Sequence, residues 1–503
     1  MLIHRVTRPL RDVWSELTFS REDVNALLVA MRTSAPPSDT LARAYILDVL
    51  RYIIFACLHA IGVHSIPGSF GGAAAEELKP PPSALPPPAL PPVPPPPRPP
   101  SDGLAPEQLL AHTQRSFADA VCARLGRGDR LARLLYRAYF AAAGDLNRAA
   151  ASSDMLAATD LGAALHGLCA TRPPLRFAGK DGSATPPPAG ATEKFVLVCA
   201  GGEEVEMVAM PAPGLDGAWS LCVSSQVGCR MGCTFCETGR MGLLRNLRVD
   251  EIVAQVAMAA HELKLRVGNV IFMGMGEPLD NVDNVICAIR ILSDPAGLNV
   301  PLSHITVSTS GEAQHVYTLI AALPAVRVAF SLHAANEALR SQLMPINRRV
   351  SLAELAAAMR RYLELTKQRV TVQYVLLAGV NDSVAHAREL AAFLSTIGPA
   401  ARLHVNLIPY NPQSGPQPRY TTPSHADCKR FKEELVDAKL FVKIREAKGA
   451  EKMAACGQLG NIELRRELNR RREAALAYED EKLAAAPAPV ETAVALSCTA
   501  LAW

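Results

Sequence analysis

From residue 218 to residue 408, short β-branched or apolar runs alternate with longer stretches whose apolar residues recur at helical spacing. Strands are expected over 219–224, 269–273, 304–308, 326–332, 369–376 and 402–408, with helices over 249–263, 284–293, 352–365 and 384–394 between them. Consecutive β-α units imply a parallel sheet with helices outside, because crossovers are right-handed. The expected fold is therefore α/β, a partial (β/α)6 barrel of TIM type, whose ligands belong at the C-terminal ends of the strands.

The polar motifs fall at those ends. After the first strand comes Cys229-Arg-Met-Gly-Cys233-Thr-Phe-Cys236, and after the second Gly274-Met-Gly276-Glu277-Pro278. Ser308-Thr-Ser-Gly311 follows the third, Ser331-Leu332-His333 the fourth, and Pro409-Tyr-Asn411 the sixth. A glycine pair at a strand end lets backbone approach a ligand, and the glutamate beside it can accept hydrogen bonds from an amine. Singly each is weak: Gly-x-Gly is a common turn, and a lone histidine is usually a satisfied structural one. Five at one rim point to a site.

The C-x3-C-x2-C spacing lets one loop present three thiolates to three corners of a cubane iron-sulfur cluster and leaves the fourth iron open for chemistry. A closed structural zinc site would need a fourth ligand, and no C-x2-C or H-x3-H partner follows at the usual distance. Twelve cysteines in 503 residues do not resemble a disulfide framework, and a thiolate-held cluster needs a reducing compartment. Cytoplasm fits, as does an organelle matrix, plastid or mitochondrion. Arg5, Arg8 and Arg11 hint at an organellar address, but Asp12 and Glu16 follow at once. The apolar stretch 44–63 carries Asp48, Arg51 and His59, which favours a buried or amphipathic helix over a membrane span.

Composition permits a large core, with 49% hydrophobic residues and 20% charged. A net charge of +4 is too small to argue for nucleic acid by itself. Segment 79–104 is mostly proline, including Pro80-Pro81-Pro82 and Pro86-Pro87-Pro88, and is read as an extended, disordered insertion. It interrupts a small helical N-terminal domain, whose first part is 1–78, with a capping pattern at Ser20-Arg-Glu-Asp23, and whose second is 105–180. A β-hairpin over 193–212 leads into the catalytic barrel at 213–464, and a basic then Ala-rich tail occupies 465–503. In that tail Arg465, Arg466, Arg470, Arg471 and Arg472 are interleaved with Glu463, Glu467 and Glu473, a pattern that suits a solvated helix face as well as phosphate contact.

With these residues in view, the chain resembles the radical S-adenosylmethionine (SAM) enzymes, and more narrowly the RlmN/Cfr family of RNA adenine methyltransferases. The resemblance rests on Cys222-Val-Ser-Ser-Gln-Val-Gly-Cys229 running into the triplet, on Arg245-Asn-Leu-Arg248, on 274–278, and on Ala454-Ala-Cys456-Gly-Gln-Leu459. It covers 195–464, and 133–168 resembles part of the family's RNA-binding accessory domain. It implies that Cys229, Cys233 and Cys236 ligate a 4Fe-4S cluster whose free iron chelates SAM. It implies that Gly276, Glu277, Ser308, Ser331, Leu332, His333 and Asn411 hold SAM. Cys456 then corresponds to the methyl-carrying cysteine, Cys222 to its resolving partner, and Glu206 in Glu206-Met-Val-Ala-Met-Pro211 to a proton acceptor, with Glu203 and Glu204 close by.

Adenine C2 is an electron-poor carbon that will not attack a sulfonium methyl, so the family uses a radical route. A methyl group is placed on the carrier cysteine, a 5'-deoxyadenosyl radical removes a hydrogen from it, and the carbon radical adds to the base. A base takes the ring proton, an electron is lost, and the resolving cysteine attacks the carrier sulfur, releasing the enzyme as a disulfide that must be reduced. By this resemblance the expected activity is methylation of adenine C2 in large-subunit (23S-type) rRNA and in tRNA. The partners are RNA and an electron donor such as flavodoxin or ferredoxin, with no membrane, and a monomer is expected. C8 methylation by the same machinery and a non-catalytic, metal-stabilised RNA-binding protein are the alternatives. Gly449-Ala-Glu-Lys-Met453 departs from the family's Gly-acidic-acidic-Ile stretch, which bears first on substrate choice.

Overall fold

The computed structural model describes residues 109–169, 174–179, 182, 184–413, 419–445, 449, 452–460 and 470. The expected helical segment 1–78, the proline-rich insertion 79–104, the apolar stretch 44–63 and the tail arginines other than Arg470 lie outside them. Among the described residues no helix is long and apolar enough to cross a membrane.

The described residues begin with helices α1 (Gln114–Leu125), α2 (Asp129–Ala141), α3 (Leu146–Ala151), α4 (Asp154–Ala157) and α5 (Asp160–Cys169). Strands β1 (Leu175–Phe177), β2 (Glu193–Cys199), β3 (Glu204–Pro211), β4 (Trp219–Cys222) and β5 (Gln226–Cys229) follow, then α6 (Glu237–Met241) and β6 (Gly242–Asn246). The alternating part continues as α7 (Val249–His261), β7 (Val267–Phe272), α8 (Val282–Leu292), β8 (Ile305–Thr309), α9 (Ala313–Ala322) and β9 (Arg327–Ser331). It closes with α10 (Glu337–Leu343), α11 (Leu352–Leu365), β10 (Val370–Leu376), α12 (Val384–Ser395), β11 (Leu403–Pro409), α13 (His425–Asp437) and β12 (Phe441–Ile444).

Among the described residues ten strands make one mixed sheet in the order β1-β2-β3-β4-β7-β8-β9-β10-β11-β12. The pairs from β1 to β4 are antiparallel and those from β4 to β12 parallel. All six expected parallel strands are present. β12 extends the run; with charged Lys443 between its apolar residues it is too short to stand out in the sequence. β5 and β6 form a separate two-stranded ribbon, which the Gly- and Gln-containing runs did not announce.

The two faces of the parallel sheet differ in chemistry. Side chains alternate across a strand. Val270, Phe272, Val307, Val328, Phe330, Val372, Tyr374, Val405 and Leu407 enter the main core with apolar residues of α7, α8, α9, α11, α12 and α13. Their neighbours in sequence, on the other face, include Asn269, Ser308, Ser331, Gln373 and Asn406. A parallel sheet covered on both sides normally reads as continuous apolar runs. A polar second face is what a ligand site requires.

Local signals explain the helices. Ser351 caps α11: its hydroxyl accepts from Glu354 N at 3.3 Å while the Glu354 carboxylate accepts from Ser351 N at 2.9 Å. Helices α1 to α5 share a second core built on Phe117, Leu135, Tyr136 and Leu165. They attach to the sheet region where Gln114 N donates to Asp294 at 2.6 Å, past the C-terminus of α8.

Candidate active site

Strand β5 delivers Cys229 into the loop ahead of α6. Gly228 is required there, since a Cβ on it would stand 1.9 Å from Gly242 O of the paired strand. Cys229 is buried, and Cys233 and Cys236 are half-buried. Cys236 N donates to Cys233 O at 3.1 Å, and Thr234 N to Leu343 O at 3.0 Å. Burial pushes the thiols of Cys229 and Cys233 up, and the charges of Cys236 and Glu277 raise both further. Among the described residues no trio of His, Cys, Asp and Glu side chains converges on one point as a single ion would need. Three thiols on one loop, with Cys236 close enough to act on both of the others, fit a cluster, which offers each thiolate its own iron.

The loop after β7 docks on this one. Met275 N donates to Ser224 Oγ at 2.9 Å and Glu277 N to Gln226 Oε1 at 2.9 Å. Gly276 has φ 100°, and a Cβ there would lie 2.6 Å from that of Gln226. Glu277 is buried; one carboxylate oxygen accepts from Leu279 N at 3.1 Å, the other from Ser310 N and Oγ, both at 2.7 Å. Burial raises its pKa to about 7, against these hydrogen bonds, which hold it down.

Ser308 and Ser331 face each other with hydroxyls 3.5 Å apart on β8 and β9. His333 takes a left-handed backbone, φ 58°, and its Nδ1 accepts from Val375 N at 2.9 Å, which fixes the proton on Nε2. Its ring stands edge-on to Phe235, centroids 4.8 Å apart, and burial lowers its pKa to about 3. Leu332 N pairs with Gln373 O, so 331–333 leave β9 still tied to β10.

The far-downstream segment 454–460 closes over this rim. Cys456 is exposed, and Asn411 Nδ2 donates to its carbonyl at 3.2 Å. Glu237 N, one residue past Cys236, donates to Gly457 O, one residue past Cys456, at 2.7 Å. Thr238 Oγ1 donates to Leu459 O at 2.6 Å, and Gln458 Nε2 to Pro412 O at 2.9 Å. Glu206 holds the end of the segment: one carboxylate oxygen accepts from Gly460 N at 2.8 Å and the other from Lys194 Nζ at 2.9 Å. Cys222, at the end of β4, is buried; burial raises its pKa, and the charge of Cys456 adds to the shift. Cys456 raises Cys236 in the same way. All five cysteines thus share one neighbourhood, next to a cavity of about 360 Å³ lined by Gly232, Cys233, Gly239, Arg240 and Arg419.

Every residue expected at the site is near this rim, but Asn411 and Glu206 are engaged with the Cys456 segment. Sequence reasoning missed Lys194, Gln226, Thr238 and Arg340. Only Gln226, inside the motif between Cys222 and Cys229, carried any sequence signal.

Residues 223–391 match the radical SAM superfamily, which accounts for the triplet and the polar strand ends. A crystal structure of a radical SAM methyltransferase from Sphaerobacter thermophilus superposes with a TM-score of 0.59 at 37% identity, covering 70% of this chain and 98% of that one. The class is therefore a radical SAM methyltransferase. A probable dual-specificity RNA methyltransferase RlmN 1 of Protochlamydia amoebophila is 38% identical over 372 residues, 72% of this chain and 96% of the relative. Its counterpart in Symbiobacterium thermophilum, a probable dual-specificity RNA methyltransferase RlmN, is 44% identical over 283 residues, 56% of this chain and 74% of that protein. The chain belongs to the RlmN family.

Proposed function

We propose that this protein methylates C2 of adenine in large-subunit rRNA, and in tRNA, with Cys456 as the methyl carrier. The observation that carries the reading is the hydrogen bond from Glu237 N to Gly457 O, which joins the residue after Cys236 to the residue after Cys456. A carrier of that kind must reach the place where a radical is made.

In this reading Cys229, Cys233 and Cys236 hold a 4Fe-4S cluster, and Gly276, Glu277, Ser308, Ser331, Leu332, His333 and Asn411 hold SAM in a partial (β/α)6 barrel. The cluster with SAM bound supplies a 5'-deoxyadenosyl radical by reductive cleavage, using an electron from a donor such as flavodoxin or ferredoxin. Glu277, already a three-fold acceptor, offers a carboxylate suited to an amine. The exposure of Cys456 suits a thiol that collects a methyl group and presents it to RNA. Cys222 sits dry at a strand end, where its thiol is protected until the carrier sulfur arrives. The adduct radical first loses one electron, which the oxidised cluster would accept, and its ring proton. The Cys222 thiolate then attacks that sulfur, the carbon–sulfur bond breaks, the departing carbon takes up a proton to become the methyl group, and a Cys222–Cys456 disulfide remains, which a two-electron reductant reopens.

Glu206 is the proton acceptor at the ring carbon. Its carboxylate is engaged with Lys194 and Gly460 N while the segment is docked, so it takes up that role as the segment moves with its cargo. Helices α1 to α5 are the second part of an RNA-binding accessory domain. Exposing the target base costs a few kcal/mol, which favours loops and partly assembled RNA.

Nucleoside mass spectrometry of rRNA and tRNA incubated anaerobically with protein, SAM and reductant tests the reading. 2-Methyladenosine is expected; 8-methyladenosine instead, or no methylated adenosine, would overturn it.

A further inference from the structure

Arg340 of α10 is the bulkiest of the fully buried side chains. Its Nε donates to Leu332 O at 3.1 Å, one terminal nitrogen to Asn347 Oδ1 at 2.7 Å, and the other to Ser310 O at 2.7 Å and Ser331 O at 3.3 Å. All four acceptors are neutral oxygens. Burying a charge without a directly bonded counter-ion costs several kcal/mol, so a fold that keeps one gains something by it.

Three of the four acceptors are carbonyls of the strand ends, and the fourth is the Asn347 side-chain amide. Ser310, after β8, also donates to Glu277 by both N and Oγ, so the guanidinium reaches the loop after β7 at second hand. Ser331 ends β9, and Leu332 follows it immediately before His333. One planar group thereby spans three consecutive loops, each at a separation that only a fork with several donors can serve.

The surroundings preserve its place. Gly311 has φ 127°, and a Cβ there would come within 3.3 Å of the Arg340 nitrogen. Behind the fork, the buried Asn347 donates to the Glu337 carboxylate at 2.6 Å and to Ser341 Oγ at 2.8 Å, and Glu337 in turn accepts from Leu352 N at the start of α11 at 2.8 Å.

The geometry points to Arg340 as a positioning residue that holds the strand ends at Ser310, Ser331 and Leu332 in the one arrangement that binds SAM, acting through their carbonyls without touching the ligand. This rests on the reading of those strand ends as the SAM site. Lysine keeps the charge but has no fork, so Arg340→Lys fails to restore the arrangement.

The test is equilibrium binding of SAM to anaerobically reconstituted full-length protein, with iron content and circular dichroism measured on each sample. For Arg340→Gln and Arg340→Lys the expected result is native fold and wild-type iron, with a Kd for SAM raised at least about tenfold, and a KM for SAM that rises more than kcat falls. Asn347→Ala, which leaves the arginine but removes its brace, raises the Kd by a smaller factor. Wild-type affinity in folded Arg340→Gln overturns the inference, as does loss of iron in step with SAM binding, which would make the residue a support of the cysteine loop. If Arg340→Gln does not fold, wild-type affinity in Asn347→Ala overturns it. Wild-type protein that binds no SAM defeats the functional reading instead, so the two failures are separable.

Discussion

The loop of Cys229, Cys233 and Cys236 and the segment of Cys456 are joined through the start of α6 by two short hydrogen bonds, yet they are built in opposite ways. The loop is pinned at both ends by regular structure, β5 before it and α6 after it, and Thr234 ties its middle to Leu343. The segment 454–460 contains no helix or strand long enough to hold itself. It is attached by hydrogen bonds to Asn411, Pro412, Glu237, Thr238 and Glu206, which come from three separate parts of the chain. In the proposed reading, three ligands of one group keep a fixed geometry, whereas a carrier leaves one partner and meets another. Opening the segment separates these hydrogen bonds and draws the side chains of Ala454 and Leu459 out of the main core.

The largest expected effect falls on the fixed side. Cys233→Ala is expected to abolish reductive cleavage of SAM, measured as 5'-deoxyadenosine formed anaerobically, whereas Cys456→Ala retains cleavage and loses RNA methylation. If both variants lose cleavage equally, the division between a fixed and a moving part fails. Next, Cys222→Ala should stop after one turnover with protein covalently bound to RNA, visible as a shifted band that nuclease removes. Continued multiple turnover would deny Cys222 its role.

Acid should separate the two regions by a few kcal/mol. His333 at the rim has a pKa of about 3 in the fold against 6.5 in the unfolded chain, so between those values only the unfolded chain takes up the proton. The stability this neutral histidine contributes is full above about pH 6.5 and falls steadily as pH drops toward 3. Hydrogen exchange at Val375, whose N–H is bonded to the ring, should accelerate through that window after correction for intrinsic rates, and a flat profile would contradict it. The smallest effect is on the mobile side. Thr238→Val strips Leu459 O of its partner and should cost docking about 1 kcal/mol, a factor of roughly five in the docked population. Faster proteolysis near 459 with unchanged iron content would register it.

The parallel strands were legible because β-branched runs bounded by glycine and polar residues recur between helical patterns, and the triplet because its spacing is itself a geometry. The contacts that hold the moving segment were not. Glu206 and Gly460 are 254 positions apart, and Thr238 and Leu459 are 221 apart. No local pattern relates them, since the pairing depends on where the sheet brings the chain back. Arg340 was invisible for a related reason: on α10, beside Glu337, it reads as an ordinary charged helix residue, and only the fold reveals that it points inward. The ribbon of β5 and β6 escaped because Gln226-Val-Gly-Cys229 lacks the alternation that marks a strand.

The distinction between holder and carrier meets its sharpest test in the location of the methyl group before RNA is added. Protein reconstituted anaerobically, incubated with SAM and reductant, then digested and analysed by tandem mass spectrometry should carry one methyl group on the peptide containing Cys456. Cys222, Cys229, Cys233 and Cys236 should be unmodified. A methyl group on any of those four in place of Cys456, or none on the protein while RNA added later is still methylated, would contradict the account.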